Sequence, residues 1–226
     1  MALFEHPTGR SDASTRALSV TVVENDFVAK VYENLAHVYD YTFGPTLHHG
    51  RLEAIKKMAL APGDEVLEVG VGTGINFSLY PRSCRVTGID LSCKMLDKAR
   101  ARIEAQGLHH CRAHEMNAEA LAFADNSFDA VCAPYVISVV PDPVKVAREM
   151  YRVCKPGGRL VILNHFRSSN RIGSFLERAI SPMTVHLGFK ADLDLPAFLA
   201  QAELEPDSIE KVNLPRIWSL VTVVKP

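Results

Sequence analysis

The chain has 226 residues, 47% apolar and 23% charged, and its 25 basic and 26 acidic side chains leave a formal net charge of −1. That is the size and composition of one substantial globular domain, and it excludes disordered, fibrous and large two-domain chains. A balance so near neutrality gives no global electrostatic footprint for nucleic acid, and no apolar run approaches the ~20 residues that span a bilayer.

The N-terminus lacks a signal-peptide core. Cys84, Cys93, Cys111, Cys132 and Cys154 are scattered without a C-x-x-C pair, the pattern of reduced, buried thiols in a cytoplasmic protein. Residues 1–19 mix Pro, Gly, Ser, Thr and Arg without periodicity and read as a mobile arm. Residues 20–226 read as a single domain. Within it, 20–60 form two lid helices, 65–164 a cofactor-binding half, and 165–226 a substrate segment followed by terminal strands.

The first lid helix is predicted over Glu24 to Phe43, where Phe27, Val28, Val31, Leu35, Val38 and Tyr39 recur at helical spacing. Gly44-Pro45 is expected to stop it. A second helix, from about Thr46 to Leu60, carries Arg51, Lys56 and Lys57. The apolar run Val66-Leu67-Glu68-Val69 then reads as a buried strand, Gly70, Gly72 and Gly74 as a turn, and Ile75 to Tyr80 as the start of a helix. The next strand, Arg85 to Ile89, ends on Asp90. Glycines are needed where backbone turns sharply against a ligand, and an acid at the following strand tip accepts from ribose hydroxyls. Together they predict a nucleoside-bearing ligand.

A helix over Lys94 to Gln106 leads to a strand over His110 to His114 and then to Asn117. The fourth strand, Asp129 to Ala133, runs into Pro134-Tyr135-Val136-Ile137. Asp142-Pro143 opens a helix to about Cys154, because a proline in the first turn forfeits no hydrogen bond. Arg159 to Asn164 is the fifth strand, Leu195 to Ala202 a helix, and Ser208 to Val212 and Ile217 to Val224 a closing pair of strands. The fold class is therefore α/β: a doubly wound, mostly parallel, seven-stranded sheet with N-terminal lid helices and a C-terminal antiparallel hairpin. His48-His49 and His109-His110 have no acid or cysteine to complete a ligand set, so no metal is expected.

The glycine spacing is G-x-G-x-G, not the G-x-G-x-x-G of dinucleotide sites, and Glu68 lies two residues before it inside the strand. A carboxylate there suits a ligand carrying an ammonium or sulfonium. In this the chain resembles the class I S-adenosylmethionine-dependent methyltransferases, and the resemblance runs from Glu65 to Asn164. Ile89-Asp90-Leu91-Ser92 with Met95-Leu96 is similar to that family's second-strand motif, Asn117-Ala118-Glu119-Ala120-Leu121-Ala122-Phe123 to its adenine-side loop, and Lys155-Pro156-Gly157-Gly158 to its turn into the fifth strand. The family usually has Asp where this chain has Asn117, and an amide presents a donor as well as an acceptor. The resemblance implies a Rossmann-like methyltransferase fold, with S-adenosyl-L-methionine held by Glu68, Gly70, Gly72, Gly74, Asp90, Leu91, Met95, Asn117, Ala118 and Tyr135.

Ligands of open α/β sheets bind beyond the carboxyl ends of the strands, which gathers Asp90, Asn117, Tyr135 and His165 on one rim. Tyr135 can accept from an amine and offer its ring to a cation. His165 can take a proton or meet a phosphate. Phe166 to Lys190 mixes Arg167, Arg171, Arg178 and Lys190 with apolar residues, which suits an anionic head group or an anionic membrane surface. Tyr32, Tyr39-Asp40 and Phe43-Gly44, the run from Ala133 to Pro143, and Leu163-Asn164-His165-Phe166 resemble the soluble bacterial phosphatidylethanolamine N-methyltransferases. That resemblance implies an enzyme at the inner face of the cytoplasmic membrane that methylates a phospholipid amine in successive steps to phosphatidylcholine. It implies catalytic roles for Tyr135, His165 and Tyr39, and substrate contacts from Tyr32, Tyr39, Tyr135, His165, Arg167 and Arg171. Quinone-pathway and other small-molecule methyltransferases share the cofactor half, and a non-catalytic cofactor-binding module serving another protein is a further alternative.

Overall fold

β1 (Glu65–Val69) shows how the sequence builds this molecule. Its side chains alternate across the sheet, so Val66 packs on one face while Leu67 and Val69 pack on the other, and all three are fully buried. A strand buried on both faces belongs at the centre of a parallel sheet. In the computed structural model, which describes residues 44–167, 193–213 and 217–226, β1 holds that place. The expected N-terminal arm, the first lid helix with Tyr32 and Tyr39, and the segment containing Arg171, Arg178 and Lys190 lie outside the described residues.

The elements follow as α1 (Gly44–Lys57), β1, β2 (Arg85–Asp90), α2 (Cys93–Ala105), β3 (Cys111–Glu115), β4 (Phe128–Pro134), α3 (Pro143–Val153), β5 (Cys154–His165), α4 (Leu195–Ala202), β6 (Ser208–Val212) and β7 (Trp218–Val224). The seven strands form one sheet in the order β3-β2-β1-β4-β5-β7-β6. β1 to β5 pair in parallel, while β7 runs antiparallel between β5 and β6, so among the described residues the closing hairpin supplies the one reversed strand. Chain order reverses between β1 and β4, and a crevice opens at that switch point.

Two helical layers cover the sheet. Leu47 and Ala54 of α1, Met58 just after it, and Leu96 and Ala99 of α2 pack on the face that carries Val66. Val146, Ala147, Met150 and Val153 of α3, spaced for one helical face, join Phe198 and Leu199 of α4 on the opposite face. Asp142 caps α3 by accepting from the Lys145 N–H at 2.9 Å, and burial of each large apolar side chain behind that cap contributes about 1.5–3 kcal/mol.

Three expectations are corrected. The second helix, expected over about Thr46 to Leu60, runs from Gly44 to Lys57 and so takes Pro45 into its first turn, where the N–H that proline lacks has no intrahelical partner; whether Gly44-Pro45 also stops the first lid helix lies outside the described residues. Ile75 to Tyr80 yields only a short 3-10 turn, Phe77–Leu79, because Asn76 and Tyr80 both turn inward to a buried carboxylate. Of the five thiols, Cys93 is exposed, whereas Cys84, Cys111, Cys132 and Cys154 are buried as expected.

Candidate active site

At the switch point a single cavity is lined by Glu68, Gly70, Gly72, Asp90, Leu91, Met95, Asn117, Ala118 and Tyr135. Backbone geometry explains the glycines. Gly70 and Gly72 have φ of +71° and +55°, where a side chain is strained. A Cβ on Gly70 would come within 2.4 Å of Val136, whereas one on Gly72 would meet no protein atom within 4 Å. Gly72 therefore presents open space to a ligand. Gly74 does not line the cavity. A Cβ there would meet Phe77 at 2.8 Å and Ala99 at 3.0 Å, so this glycine serves packing against α2.

Asp90 ties the turn to the second strand. Its Oδ2 accepts from the Gly72 N–H at 2.8 Å and its Oδ1 from the Ser92 N–H at 2.9 Å. Burial raises its pKa, and these backbone donors pull it back toward the ordinary carboxylate range. Each carboxylate oxygen keeps a further lone pair for a hydroxyl donor. Asn117 Oδ1 accepts from the Glu119 N–H at 2.9 Å, which directs the amide oxygen to backbone and leaves its NH2 group as a donor for a ring nitrogen.

Glu68 is 1% exposed and accepts from the Tyr80 hydroxyl at 2.6 Å and from Asn76 Nδ2 at 2.7 Å. Desolvation raises its pKa to about 7, opposed by those hydrogen bonds and by the Arg51 guanidinium nearby. Asn76 also lines the cavity, and its Oδ1 is buried without a hydrogen-bond partner among the described residues. A cationic ligand with N–H donors answers both features.

Tyr135 follows β4 with φ of +63°, an unusual conformation for a large side chain, held here by the packing around it. Its hydroxyl donates to the Leu47 carbonyl at 3.0 Å and accepts from Asn213 Nδ2 at 2.9 Å. Its ring stands edge-on to Trp218 at 5.0 Å, beneath Arg51 at 5.4 Å. The expectation that the hydroxyl accepts from a substrate amine thus meets a hydroxyl already used to fasten α1. His165 is buried against Trp218 in a second T-shaped contact, with ring centroids 5.7 Å apart, and Arg167 pairs with Asp194 at 3.2 Å. Neither lines the cavity, although His165 and the cavity residue Tyr135 both pack on Trp218. Tyr32, Tyr39 and Arg171 lie outside the described residues.

Sequence reasoning missed Arg51, Thr73, Asn76 and Trp218. Arg51 is 3% exposed and lines the cavity, yet it sits on a helix with no motif to mark it. Among the described residues, no group of three or more His, Cys, Asp or Glu is placed to hold a metal ion, and no helix is long and apolar enough to cross a membrane.

A Rossmann-like α/β sheet with a glycine turn, an acid at the next strand tip and a buried carboxylate beneath them defines a nucleoside-cofactor enzyme class. The family profile described as Methyltransferase domain matches residues 67–162. The phosphatidylethanolamine N-methyltransferase of Cereibacter sphaeroides is 39% identical over 184 residues, covering 81% of this chain and 90% of that one. The demethylmenaquinone methyltransferase of Listeria welshimeri is 36% identical over 154 residues, covering 64% of this chain and 65% of that one. The crystal structure of the [4+2]-cyclase SpnF shares the fold, with a TM-score of 0.75 at 19% identity over 92% of this chain and 98% of that one. The chain belongs to the class I S-adenosylmethionine-dependent methyltransferases, and S-adenosyl-L-methionine is its cofactor. The residues present fit that molecule: open space at Gly72, acceptors at Asp90, and an acid for a cation at Glu68.

Proposed function

We propose that the enzyme methylates the amine of phosphatidylethanolamine, in successive steps to phosphatidylcholine. The observation that carries this reading is extent. Similarity to the phosphatidylethanolamine N-methyltransferase spans 90% of that relative, whereas the demethylmenaquinone methyltransferase is spanned over 65% of its length. A match that continues past the cofactor half includes the part of the chain that meets the acceptor. Methylation of a quinone precursor is the second reading, supported by the 36% identity over the shared half.

When bound, S-adenosylmethionine supplies a sulfonium methyl group for transfer to a nucleophile. Asp90 would hold its ribose, Asn117 with Ala118 its adenine edge, and Glu68 its ammonium. An acceptor amine must reach the site unprotonated. Val136, Val139, Val140 and Pro141 give the cavity an apolar wall, and loss of water there lowers the pKa of an ammonium and favours its neutral form. No histidine lines the cavity among the described residues, and water entering it can take the proton. Glycine-turn rigidity and the strained backbone at Tyr135 keep the two reactants aligned, which is where most acceleration of a transfer from a pre-activated donor arises.

Because the acceptor sits in a bilayer, the enzyme docks on the inner face of the cytoplasmic membrane as a peripheral protein. Residues 24–43 and 166–190 supply apolar and basic side chains for this. The test is transfer of radiolabelled methyl groups to vesicles containing phosphatidylethanolamine and an anionic lipid, beside a demethylmenaquinone arm. Label in the phospholipid, with sedimentation on anionic vesicles that weakens as salt rises, is expected. Label in the quinone alone would replace this reading with the second.

A further inference from the structure

We infer that Glu149 and Arg152, which do not line the cavity, are positioning residues for the adenine end of S-adenosylmethionine, acting through the loop that carries Asn117 and Ala118. This role rests on the assignment of those two loop residues to the adenine edge, and the acceptor plays no part in it. The loop, residues 116–127, joins β3 to β4 and has no helix or strand of its own. Backbone groups that no ladder or helical turn pairs need side chains or water as partners. Here α3 and its cap supply them at three levels along the loop. Glu119, itself at the cavity, accepts from the Asp142 N–H at 3.0 Å. The Leu121 N–H donates to Glu149 Oε2 at 2.8 Å. The Leu121 and Phe123 carbonyls accept from Arg152 Nη2 and Nη1, each at 2.9 Å.

Arg152 is the hub. A guanidinium carries its N–H donors in a rigid planar fork, and here the whole fork is engaged. Besides the two carbonyls, Nε and Nη2 reach Glu149 at 2.8 Å each, and Nη1 reaches Asp125 Oδ1 at 2.7 Å. The Arg152 hydrogen bonds hold the Glu149 carboxyl below its ordinary range, so it stays an ionised acceptor for the Leu121 N–H. The Leu121 side chain is buried in the core under α3, so packing and hydrogen bonds fix this residue together. From Leu121 back to Asn117 the chain makes one tight turn. The Ala120 N–H donates to the Asn117 carbonyl at 3.1 Å and the Glu119 N–H to Asn117 Oδ1 at 2.9 Å. Displacing Leu121 therefore displaces Asn117. Because the turn takes its amide oxygen, Asn117 offers the ligand an NH2 donor. Adenine meets a donor with the acceptor nitrogen beside its exocyclic amine, whereas hypoxanthine carries an N–H at that position. Exact placement of the loop is thus read out as preference for adenine.

The test is titration calorimetry of S-adenosylhomocysteine and S-inosylhomocysteine, in which hypoxanthine replaces adenine, on the full chain and on Arg152→Lys, Glu149→Gln and Asn117→Ala. The wild type is expected to favour the adenine ligand about tenfold or more. Arg152→Lys keeps the charge and loses the fork, and should bring that ratio below about threefold, chiefly by weakening S-adenosylhomocysteine. Glu149→Gln still offers an oxygen to the Leu121 N–H and should keep most of the ratio. Asn117→Ala should abolish it directly. A ratio that Arg152→Lys leaves unchanged, even where both affinities fall together, is the signature of a general packing role and would overturn the positioning role. Asn117 would then stay the adenine contact if its own variant loses the ratio. No preference in the wild type, or one that survives Asn117→Ala, would remove the loop from the adenine edge, and the role of Glu149 and Arg152 would fall with it. If Arg152→Lys does not fold by circular dichroism, Glu149→Ala decides on the same ratio, since it leaves the bonds from Arg152 to the two carbonyls in place.

Discussion

Asn213 holds Tyr135 and Gly50 at once, its Nδ2 donating to the Tyr135 hydroxyl at 2.9 Å and its Oδ1 accepting from the Gly50 N–H at 2.7 Å. Space allows this only because position 50 is glycine. A Cβ there would lie 2.6 Å from the tyrosine hydroxyl. The phenol thus fastens α1 to the sheet, while the ring edges the cavity.

These two duties separate on mutation. Tyr135→Phe should lower stability by about 1–2 kcal/mol, the cost of leaving buried partners unsatisfied, and keep turnover within a few-fold. Tyr135→Ala removes the cavity wall and the rest under Arg51 as well, and should cut turnover about tenfold or more. Thermal melts with initial rates check both. Full activity in a folded Tyr135→Ala protein would leave the residue a structural role alone.

Asp90 is the acceptor proposed for ribose, and it also braces Gly72 and Ser92. Asp90→Ala should weaken S-adenosylhomocysteine binding by roughly 1.5–3 kcal/mol, the scale of hydrogen bonds to a charged group. Titration calorimetry reads the loss directly. Unchanged affinity would remove Asp90 from the site.

Glu68 sets a pH dependence whose sign is definite. Its pKa in the cofactor-free protein is raised to about 7, so below that pH the carboxyl is neutral and cannot meet an ammonium. Cofactor binding then requires release of its proton, and affinity should rise several-fold between about pH 6 and 7.5. The same raised pKa makes Glu68 a group that favours the folded state at low pH, with that contribution lost between its unfolded value near 4.5 and about 7. Glu68→Gln should flatten the binding profile, and methylthioadenosine, which has no ammonium, should show little slope with the wild type. A steep profile that survives in Glu68→Gln would place the titrating group elsewhere.

Gly70→Ala faces two penalties, a φ of +71° and a Cβ 2.4 Å from Val136. Together these should cost about 2 kcal/mol or more, and cofactor affinity should fall with stability because the turn itself must shift. Gly72→Ala meets no protein atom and carries only the backbone penalty of its φ of +55°, about 1 kcal/mol, so it should lose less stability than Gly70→Ala while a larger share of its loss falls on ligand binding. Denaturation curves measured with and without S-adenosylhomocysteine distinguish the two.

Much of the site was legible because its parts are close in sequence. The glycine turn and Asp90 are joined by a hydrogen bond only 18 residues apart, and strand periodicity marks both of its flanks. Strand and helix positions followed for the same reason, with Leu195–Ala202 and Ser208–Val212 falling where the apolar pattern placed them. Arg51 was not legible, since which face a helix turns to a cavity is decided by its tertiary partners. The helix expected over Ile75 to Tyr80 failed for a related reason. Local propensity carries no account of a buried Glu68 that draws Asn76 and Tyr80 inward.

The Gly50–Asn213 hydrogen bond spans 163 residues, and from it follows an order of assembly. The ribose pocket can form as soon as β1 and β2 pair, while the chain is half made. The seat of Arg51 must wait for the hairpin of β6 and β7, because Asn213 leaves β6 only near the C-terminus. Long loops close late, since their entropy is lost before the contacts that reward it exist. A chain cut before β6 would keep the glycine turn and Asp90 and lose the anchor that holds α1 over the cavity.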